Sequence, residues 1–384
     1  MYPTISDLLR DLFGISIPLP IQTFGFFVAL AFLGAAWTLA LELRRKENEG
    51  LLLPLKLKVE TGKPATATDF ATSAVIGFLI GFKLLLIIFD YGGFVDDPQG
   101  YILSGKGNFA GGLLGAGIAV LMKYRENEKL KKEKPGVREE TVHPYQLVGN
   151  ITMVAAVAGL LGAKLFDILE KPAAFFRDPI GTFFSFSGLT MYGGLIVGGA
   201  AVIWYAWKKG IHWRHIIDVA APGLMLAYGI GRIGCHMSGD GDWGIVNNNP
   251  KPPALSWLPD WAWAFNFPHN VIDEGVPIPG CVGKHCMVLP EPVYPTSLYE
   301  SVICVGLFFV LWSFRKNIRI PGMMFSIYLI LNGIERFFIE KIRVNVEYEF
   351  LGNITQAELI SVLLVILGIA GLIYFNKNRA TKPV

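Results

Sequence analysis

Charged residues are scarce in this sequence. Asp, Glu, Lys and Arg make up 17% of the 384 residues, whereas a soluble protein carries about 25%. Hydrophobic residues amount to 52%, and the mean hydropathy is +0.45. They occur in uninterrupted blocks of about 20 residues, the length that a helix needs to cross a bilayer. The shortage of charge therefore excludes an ordinary soluble protein and predicts an all-α polytopic membrane protein.

Neither sign of charge dominates, and cysteine is rare. The net charge of +3 implies no nucleic-acid partner. Four cysteines are too few for a disulfide scaffold. Cys281 and Cys286 flank His285, but no second pair at metal-ligand spacing accompanies them. We therefore expect no metal and no cofactor, and we interpret Cys281 and Cys286 as a loop disulfide in an oxidising compartment rather than a redox site.

The apolar blocks predict about nine transmembrane helices in a single transmembrane domain, residues 19–384. The predicted spans are residues 19–41, 68–90, 108–123, 147–168, 182–206, 216–236, 296–314, 321–341 and 356–375. An amphipathic segment, residues 1–18, precedes them and suits a membrane surface. No basic region precedes the first span and no cleavage site follows it, so we expect no removable signal peptide.

The distribution of basic residues predicts the orientation of the spans. Short loops rich in Lys and Arg follow spans one, three, five, seven and nine. By the positive-inside rule, these ends and the C-terminus are cytoplasmic. The N-terminus and a long loop rich in Pro, Asn and Trp, residues 237–294, are then outside. We expect the connections at residues 51–66 and 124–142 to be flexible.

An internal repeat links two pairs of spans. The motif Gly77-Phe78-Leu79-Ile80-Gly81-Phe82-Lys83 resembles Gly159-Leu160-Leu161-Gly162-Ala163-Lys164, and Ala110-Gly111-Gly112-Leu113 resembles Tyr192-Gly193-Gly194-Leu195. Spans two and three therefore look like a duplicate of spans four and five in the same orientation. Because Ala110 stands where the other copy has Tyr192, we interpret the first copy as structural and the second as functional.

Polar residues in several spans lie toward the outer leaflet. They are Lys83, Lys164, Tyr192, Arg232, Glu300, Asn332, Arg336, Glu340, Arg343 and Glu358. We predict that they converge on a buried, charged chamber. Each arginine taken alone also fits a simple ion pair, such as Arg336 with Glu340 one helical turn later. Two arginines from different spans at one depth favour a phosphate ligand, which a guanidinium binds through two parallel hydrogen bonds. A phospholipid headgroup is the expected source.

Several motifs together resemble the bacterial prolipoprotein diacylglyceryl transferase family. They are Asp218-Val219-Ala220-Ala221-Pro222, Gly231-Arg232-Ile233-Gly234, Gly239-Asp240, Trp243-Gly244, Tyr294-Pro295-Thr296-Ser297-Leu298-Tyr299-Glu300, Gly333-Ile334-Glu335-Arg336-Phe337-Phe338-Ile339-Glu340-Lys341-Ile342-Arg343, Thr190-Met191-Tyr192-Gly193-Gly194-Leu195 and Phe24-Gly25. They occur in family order and cover most of the chain. Each motif is weak alone, and the set is specific.

The resemblance implies a multi-pass enzyme of the bacterial inner membrane with its site open to the periplasm. The family has seven spans, so nine here equal seven plus the duplicated pair. Such enzymes move the diacylglyceryl group of phosphatidylglycerol onto the lipobox cysteine of a prolipoprotein signal peptide, and glycerol-1-phosphate leaves. Phosphatidylglycerol, the prolipoprotein and membrane lipids are the implied partners. The loop at residues 237–294 would be a periplasmic head loop.

The expected roles combine the resemblance with the polar pattern. Arg232 and Arg336 would stabilise the phosphate charge, Glu340 would hold Arg336, and Asp240 would orient Arg232 or a water. Tyr192, His236 and Asp240 remain alternative acceptors of the thiol proton. The remaining expected substrate-binding residues are Phe24, Lys164, Gly193, Gly194, Glu300 and Asn332.

This sequence departs from the family pattern at several of these positions. Tyr192 replaces a histidine, Phe24 a tyrosine and Lys164 an arginine. Cys235 replaces an asparagine, Asp240 a glutamate and Asn332 a tyrosine. An inactive relative that binds lipid or lipoprotein precursors is therefore the first alternative. A small-solute transporter is the second, although its charges would lie nearer the midplane.

Overall fold

The computed structural model describes residues 1–61, 64–96, 98–132, 136–184, 188, 190–345, 347–348 and 354–378. Over these residues the chain is mostly helical. The α-helices are α1 Ile5–Phe13, α2 Thr23–Asn48, α3 Ala67–Phe89, α4 Tyr91–Asp96, α5 Pro98–Leu103, α6 Phe109–Lys132, α7 Val148–Glu170, α8 Pro172–Arg177, α9 Pro179–Phe184, α10 Met191–Lys208, α11 Trp213–Ser238, α12 Thr296–Phe314, α13 Met323–Glu340 and α14 Gln356–Lys377.

Short strands pair in three antiparallel, two-stranded sheets within the described residues. The strands are β1 Leu55–Thr61 with β2 Gly136–Val142, β3 Val276–Pro277 with β4 Met287–Val288, and β5 Glu347–Tyr348 with β6 Ile354–Thr355. The prediction of flexible connections at residues 51–66 and 124–142 is wrong where β1 and β2 pair, from Leu55 with Val142 to Thr61 with Gly136. The alternation of apolar and charged residues from Leu55 to Glu60 is the period of a strand, and this signal was missed.

Six of the described helices are long and apolar enough to cross a membrane, judged by length and composition. They are α2, α3, α7 with the 3₁₀ turn before it, α11, α12 and α14. The chain is therefore an all-α polytopic membrane protein, as expected. Helices α6, α10 and α13 complete a set of nine described helices of 18 residues or more. The count of nine spans and their orientation stay predictions.

The predicted fifth span, residues 182–206, is wrong at its beginning. The short helix α9 ends at Phe184, and α10 begins only at Met191. Between them Gly188 has a φ of 69°, a left-handed conformation that a continuing helix does not contain. Tyr192 consequently lies in the first turn of α10.

The bundle is organised around α11, which packs against α2, α12 and α13, while α13 packs against α14. Ala221 and Met225 of α11 are fully buried against Cys304 and Phe308 of α12. We call residues 239–295, which connect α11 to α12, the head loop. The end of the bundle where α11 ends and α12 begins is the head-loop end.

The two repeated units form helix pairs of the same kind, α3 with α6 and α7 with α10. A Cβ at Gly111 would lie 2.4 Å from the carbonyl oxygen of Gly81, and one at Gly193 would lie 2.4 Å from that of Gly162. Only glycine lets the backbones approach this closely. Gly193 therefore has a packing role, and the repeat seen in the sequence is a repeat of helix packing.

A second group of buried charges lies at the end of the bundle opposite the head loop. Asp218 accepts hydrogen bonds from the backbone N–H groups of Gly322 and Phe325, at 2.9 and 3.0 Å. Glu42 Oε1 lies 2.8 Å from Arg315 Nε. This second group was not among the residues predicted to converge. The carboxylate of Asp218 holds the first turn of α13, and the charge of Glu42 is compensated by an arginine.

The head loop has a small core of its own. Trp243, Phe267, Leu289 and Val293 are buried together. The sulfur atoms of Cys281 and Cys286 form a disulfide, with Cα atoms 5.7 Å apart. The N-terminus is attached to the same region, since the amino group of Met1 donates to the carbonyl oxygen of Pro268 at 2.7 Å and Tyr2 N–H donates to Met237 at 2.8 Å.

Candidate functional site: a buried arginine cluster

Three arginines meet at the head-loop end of the bundle. Arg232 lies near the end of α11, Arg336 near the end of α13, and Arg343 directly after α13. We call these three residues the arginine cluster. Their side chains are 8, 17 and 10% exposed, so each guanidinium needs compensating partners in place of water.

Glu300 of α12 is the central partner of the arginine cluster. Its carboxylate is fully buried, and Oε2 lies 2.7 Å from Arg232 Nε and 3.5 Å from Arg336 Nη1. The other oxygen, Oε1, lies 3.4 Å from Arg343 Nη1. One carboxylate thus contacts three guanidinium groups and fixes their relative positions.

Tyr228, one helical turn before Arg232 on α11, supports the contact between Arg232 and Glu300. Its hydroxyl donates to Glu300 Oε2 at 2.6 Å and accepts from Arg232 Nη2 at 3.4 Å. The guanidinium carbon of Arg232 lies 5.1 Å from the centre of the Tyr228 ring, within the range of a cation–π interaction. Sequence analysis missed Tyr228, although its spacing of four residues from Arg232 puts both on one helix face.

Asp242 of the head loop bridges two members of the arginine cluster. One carboxylate oxygen contacts Arg232 Nη1 and the other contacts Arg343 Nη2. The backbone brings these residues together, because Gly244 pairs with Arg343 and the N–H of Ile245 donates to the carbonyl oxygen of Ile342 at 2.9 Å. The expected partner of Arg232 was Asp240, so the structure assigns the direct contact to a different carboxylate, two residues later.

Glu340 holds Arg336, in the way that the sequence predicted for this pair. Its Oε2 lies 3.0 Å from Arg336 Nη2. Its other oxygen accepts from Thr355 Oγ1 at 2.8 Å and from Asn345 Nδ2 at 2.5 Å. These hydrogen bonds attach Glu340 to β6 and to the segment after α13, so the orientation of Arg336 is fixed by three parts of the chain.

Asp240 lies beside the arginine cluster, and one of its carboxylate oxygens lies within 4.8 Å of the sulfur of Cys235. Burial raises the pKa of the Asp240 carboxyl, although Cys235 and the charges of Arg232 and Arg343 oppose the shift. Burial lowers the pKa of Arg343 to about 10, and repulsion from Arg232 adds to the effect. Arg343 is still charged at neutral pH.

Cys235, Asp240 and Asp242 place one possible metal ligand each within 4.8 Å of one another. Asp242 is already bound to two guanidinium groups. The positive charges of Arg232 and Arg343 repel a cation from this position. The arrangement suits an anion better than a metal ion.

Tyr192 of α10 faces the arginine cluster. Its phenol interacts electrostatically with Arg336, Glu340, Arg343 and Arg232. Tyr192 comes from the second repeated unit rather than from the central bundle, and its role at the site stays a prediction.

His236 has different surroundings from the arginine cluster. Its ring centre lies 5.5 Å from that of Phe267 and 6.1 Å from that of Phe265, and its Nδ1 lies 3.4 Å from Ser297 Oγ. This buried aromatic environment under the head loop indicates a packing role. The structure therefore favours Asp240 and Tyr192 over His236 as groups near the arginines.

The other expected substrate-binding residues occupy several places. Lys164 is buried on α7 with its Nζ 3.9 Å from Asp167. Gly193 and Gly194 lie where α10 packs on α7. Asn332 lies on α13 one turn before Arg336 and is half-buried. Phe24, in the first turn of α2, is 42% exposed and lines a cavity that also reaches Asp240.

Comparison with known proteins identifies the family. A family profile described as prolipoprotein diacylglyceryl transferase matches residues 131–374. The chain belongs to this family. Members include the phosphatidylglycerol–prolipoprotein diacylglyceryl transferases of Clostridioides difficile strain 630 and Enterococcus faecalis strain ATCC 700802 / V583. The first is 30% identical over 249 residues, which are 64% of this chain and 83% of the relative. The second is 30% identical over 272 residues, covering 70% and 85%.

A third similar family member is the enzyme of Staphylococcus haemolyticus strain JCSC1435, 28% identical over 234 residues, or 61% of this chain and 74% of the relative. The residues that match the family profile contain the whole arginine cluster and its carboxylates. Helices α3, α4 and α5 precede the matched residues, and α6 ends at their beginning. The first repeated unit therefore lies almost entirely outside the matched residues.

Proposed function

We propose that this chain transfers the diacylglyceryl group of phosphatidylglycerol to the thiol of the lipobox cysteine of a prolipoprotein, with release of glycerol-1-phosphate. The observation that carries the proposal is the bridge from Asp242 to Arg232 and Arg343 in a chain of this family. The Asp242 carboxylate lies between two guanidinium groups, a position that would also suit the anionic oxygens of a phosphate. The phosphate of the lipid would take this place.

Asp242 is the carboxylate most easily displaced by such a ligand. Its side chain is 27% exposed, whereas those of Glu300 and Glu340 are fully buried. Asp242 also lies in the head loop rather than on a transmembrane helix. Phosphate binding would therefore move Asp242 aside and leave Glu300 and Glu340 to position the arginine cluster.

The chemistry of the transfer places its largest demand on the leaving group. The sulfur attacks the glycerol carbon that carries the phosphate, a carbon–sulfur bond forms, and the carbon–oxygen bond to phosphate breaks. The phosphate monoester that leaves gains negative charge on the departing oxygen. Preorganised hydrogen-bond donors stabilise such developing charge most effectively in a site that is shielded from water. Arg232, Arg336 and Arg343 are the donors.

The thiol of the incoming cysteine must lose its proton before or during attack. Asp240 is the acceptor that we propose, because its carboxylate lies beside the arginine cluster and within 4.8 Å of the sulfur of Cys235. The raised pKa of Asp240 is closer to the pKa of a thiol than the pKa of an ordinary aspartate is, and this favours proton transfer. Tyr192 would then orient the phosphate by hydrogen bonding.

The orientation in the membrane follows from charge. The end opposite the head loop carries Arg44, Arg45 and Lys46 near the end of α2, and Arg315, Lys316 and Arg319 after α12. The positive-inside rule makes that end cytoplasmic. The arginine cluster and the head loop would then face the periplasm of a bacterial inner membrane.

The test is a transfer assay with the purified full-length chain in vesicles. The vesicles contain phosphatidylglycerol with labelled acyl chains, and the acceptor is a lipobox peptide. We expect a labelled thioether on the peptide, one glycerol-1-phosphate released for each thioether formed, and no product with a Cys→Ser peptide. The Enterococcus faecalis relative serves as the positive control. Binding of both substrates without transfer, in vesicles where the relative is active, would contradict the proposal and favour a non-catalytic binding protein.

A further inference from the structure

A cavity of about 700 Å³ lies beside Asp240 at the head-loop end. Four parts of the chain surround it: the N-terminal residues 3–24, the connection between α3 and α6, the end of α11 and the head loop. Its wall includes Arg10, Phe24, Val95, Pro98, Asp240 and Lys284. Val95 and Pro98 belong to α4 and α5, which connect the two helices of the first repeated unit.

On the basis of the proposed function, we infer that this cavity binds the part of the prolipoprotein that adjoins the lipobox cysteine. Val95 and Pro98 would then select among acceptor polypeptides. The first repeated unit is thus assigned an acceptor-specificity function, separate from the chemistry at the arginine cluster.

The composition of the cavity wall favours a polypeptide over lipid acyl chains. Most of the wall comes from segments outside the long helices. It is largely apolar, as at Ile17, Leu19 and Phe24, but the basic residues Arg10 and Lys284 and the acidic Asp240 interrupt the apolar surface. A peptide presents alternating donors and acceptors that need such partners, whereas an acyl chain is best covered by continuous apolar surface.

The position of Asp240 connects the cavity to the reaction. Asp240 lines the cavity, and its carboxylate lies within 4.8 Å of the sulfur of Cys235, which is three residues after Arg232. A peptide cysteine that entered from the cavity would meet Asp240 before reaching the arginine cluster. The lipid phosphate and the peptide would therefore approach the reacting position from different sides.

A hydrogen bond joins the first repeated unit to the N-terminal segment beside the cavity, since the hydroxyl of Tyr91 donates to the carbonyl oxygen of Pro18 at 2.5 Å. At the opposite end of the unit, β1 and β2 pair with each other and join the segments before α3 and after α6. The unit thus contributes Val95 and Pro98 to the cavity wall. It precedes most of the residues that match the family profile, which is consistent with a role in selectivity rather than in the family's shared chemistry.

The experiment compares Val95→Trp and Val95→Ala with wild type and with Leu113→Trp. Leu113 lies on α6 of the same unit, is 66% exposed, and does not line the cavity. We expect Val95→Trp to raise the KM for a lipobox peptide with a bulky residue beside the cysteine at least tenfold. The KM for phosphatidylglycerol should stay within twofold. Val95→Ala should lower the peptide KM or leave it unchanged, and Leu113→Trp should match wild type.

A second measurement detects binding without transfer. A lipobox peptide with a benzophenone next to the cysteine is irradiated with the wild-type chain, and the cross-linked residues are identified by mass spectrometry. We expect adducts within residues 91–103 and residues 14–22.

Two results would overturn the inference and leave the proposed function intact, provided that the wild type transfers lipid. The first is an unchanged peptide KM in Val95→Trp, and the second is a set of adducts that lie elsewhere. A rise in the phosphatidylglycerol KM instead would identify the cavity as a lipid site and also overturn it. A wild type without transfer activity would instead reject the proposed function.

Discussion

Arg232 and Glu300 form a fully buried ion pair between two helices, with Nε 2.7 Å from Oε2. Glu300 also contacts Arg336 and Arg343, so its single negative charge is shared by three positive ones. Asp242 and Glu340 supply the remaining compensation. The arginine cluster is therefore nearly neutral as a whole, and removal of any one carboxylate leaves an excess of buried positive charge.

Glu300→Gln should abolish transfer and destabilise the protein. Removal of one partner from a buried ion pair leaves uncompensated charge and costs about 3–5 kcal/mol. Thermal unfolding in detergent and the transfer assay measure the two effects. Glu49→Gln is the control, because Glu49 pairs with Arg45 at 2.8 Å but is 38% exposed and such pairs contribute at most about 1 kcal/mol. Equal unfolding temperatures for the two variants would contradict the assignment.

Asp242→Asn should strengthen the binding of phosphatidylglycerol. The substitution removes the negative charge that competes with phosphate for Arg232 and Arg343, so the lipid KM should fall, while the unfolding temperature without lipid should fall as well. Added phosphatidylglycerol should restore that temperature. Asp260→Asn is the control, since Asp260 is 97% exposed and forms an ion pair with Lys251 at the surface. A higher lipid KM in Asp242→Asn would show that Asp242 assists phosphate binding instead.

Tyr192→Phe should lower kcat by about 100-fold, the lower end of the effect expected when a positioned polar group is lost from a reaction centre. The ring remains, so packing between α7 and α10 should be unchanged. Tyr205→Phe, on the same helix, removes a hydroxyl from a side chain packed in a hydrophobic cluster away from the arginines. It should retain full activity. Unchanged kcat in Tyr192→Phe would exclude the hydroxyl from the reaction.

Asp240 should determine the acid side of the pH profile. Because burial raises its pKa, the carboxyl is protonated at pH values where an ordinary aspartate, with a pKa of about 3.9, is ionised. Protonated Asp240 cannot accept the thiol proton, so kcat/KM should fall with decreasing pH through the raised pKa. In Asp240→Asn the rate should be lower and this acid limb should be absent. An acid limb that is the same in both proteins would assign it to another group.

The same shift has a consequence for stability. A carboxyl with a raised pKa in the folded state releases its proton more readily when the chain unfolds. Its contribution to folding stability is therefore fully present below the unfolded pKa and is lost as the pH rises through the folded pKa. In Asp240→Asn this loss of folding stability with rising pH should be absent. Unfolding curves recorded from pH 4 to 8 measure the difference.

The long apolar blocks made the membrane helices predictable, and the motif spacing made Arg232, Arg336 and Glu340 predictable. Asp242 stands between the motifs Gly239-Asp240 and Trp243-Gly244, and the sequence did not single it out over Asp240 two residues earlier. That choice depends on the pairing of Gly244 with Arg343, which joins segments about 100 residues apart in sequence. Tertiary contacts of this kind leave no local periodicity to read.

Two other differences have local causes. The beginning of the fifth span was misplaced because the apolar composition continues across Gly188, where the backbone turns. The buried charges at the opposite end were missed because Glu42, Lys46 and Asp218 resemble ordinary residues at membrane helix ends. Their burial depends on α13 and Arg315, which lie far along the chain.

The most direct test compares transfer activity in Arg232→Lys with that in Arg315→Lys. The two arginines are matched, since each pairs through Nε with a buried glutamate, at 2.7 Å with Glu300 and at 2.8 Å with Glu42. Lysine keeps the charge but cannot make two parallel hydrogen bonds to phosphate. We predict that Arg232→Lys lowers kcat at least about 100-fold while Arg315→Lys retains activity within a few-fold. Equal activities in the two variants would contradict the claim that the arginine cluster binds the phosphate that leaves.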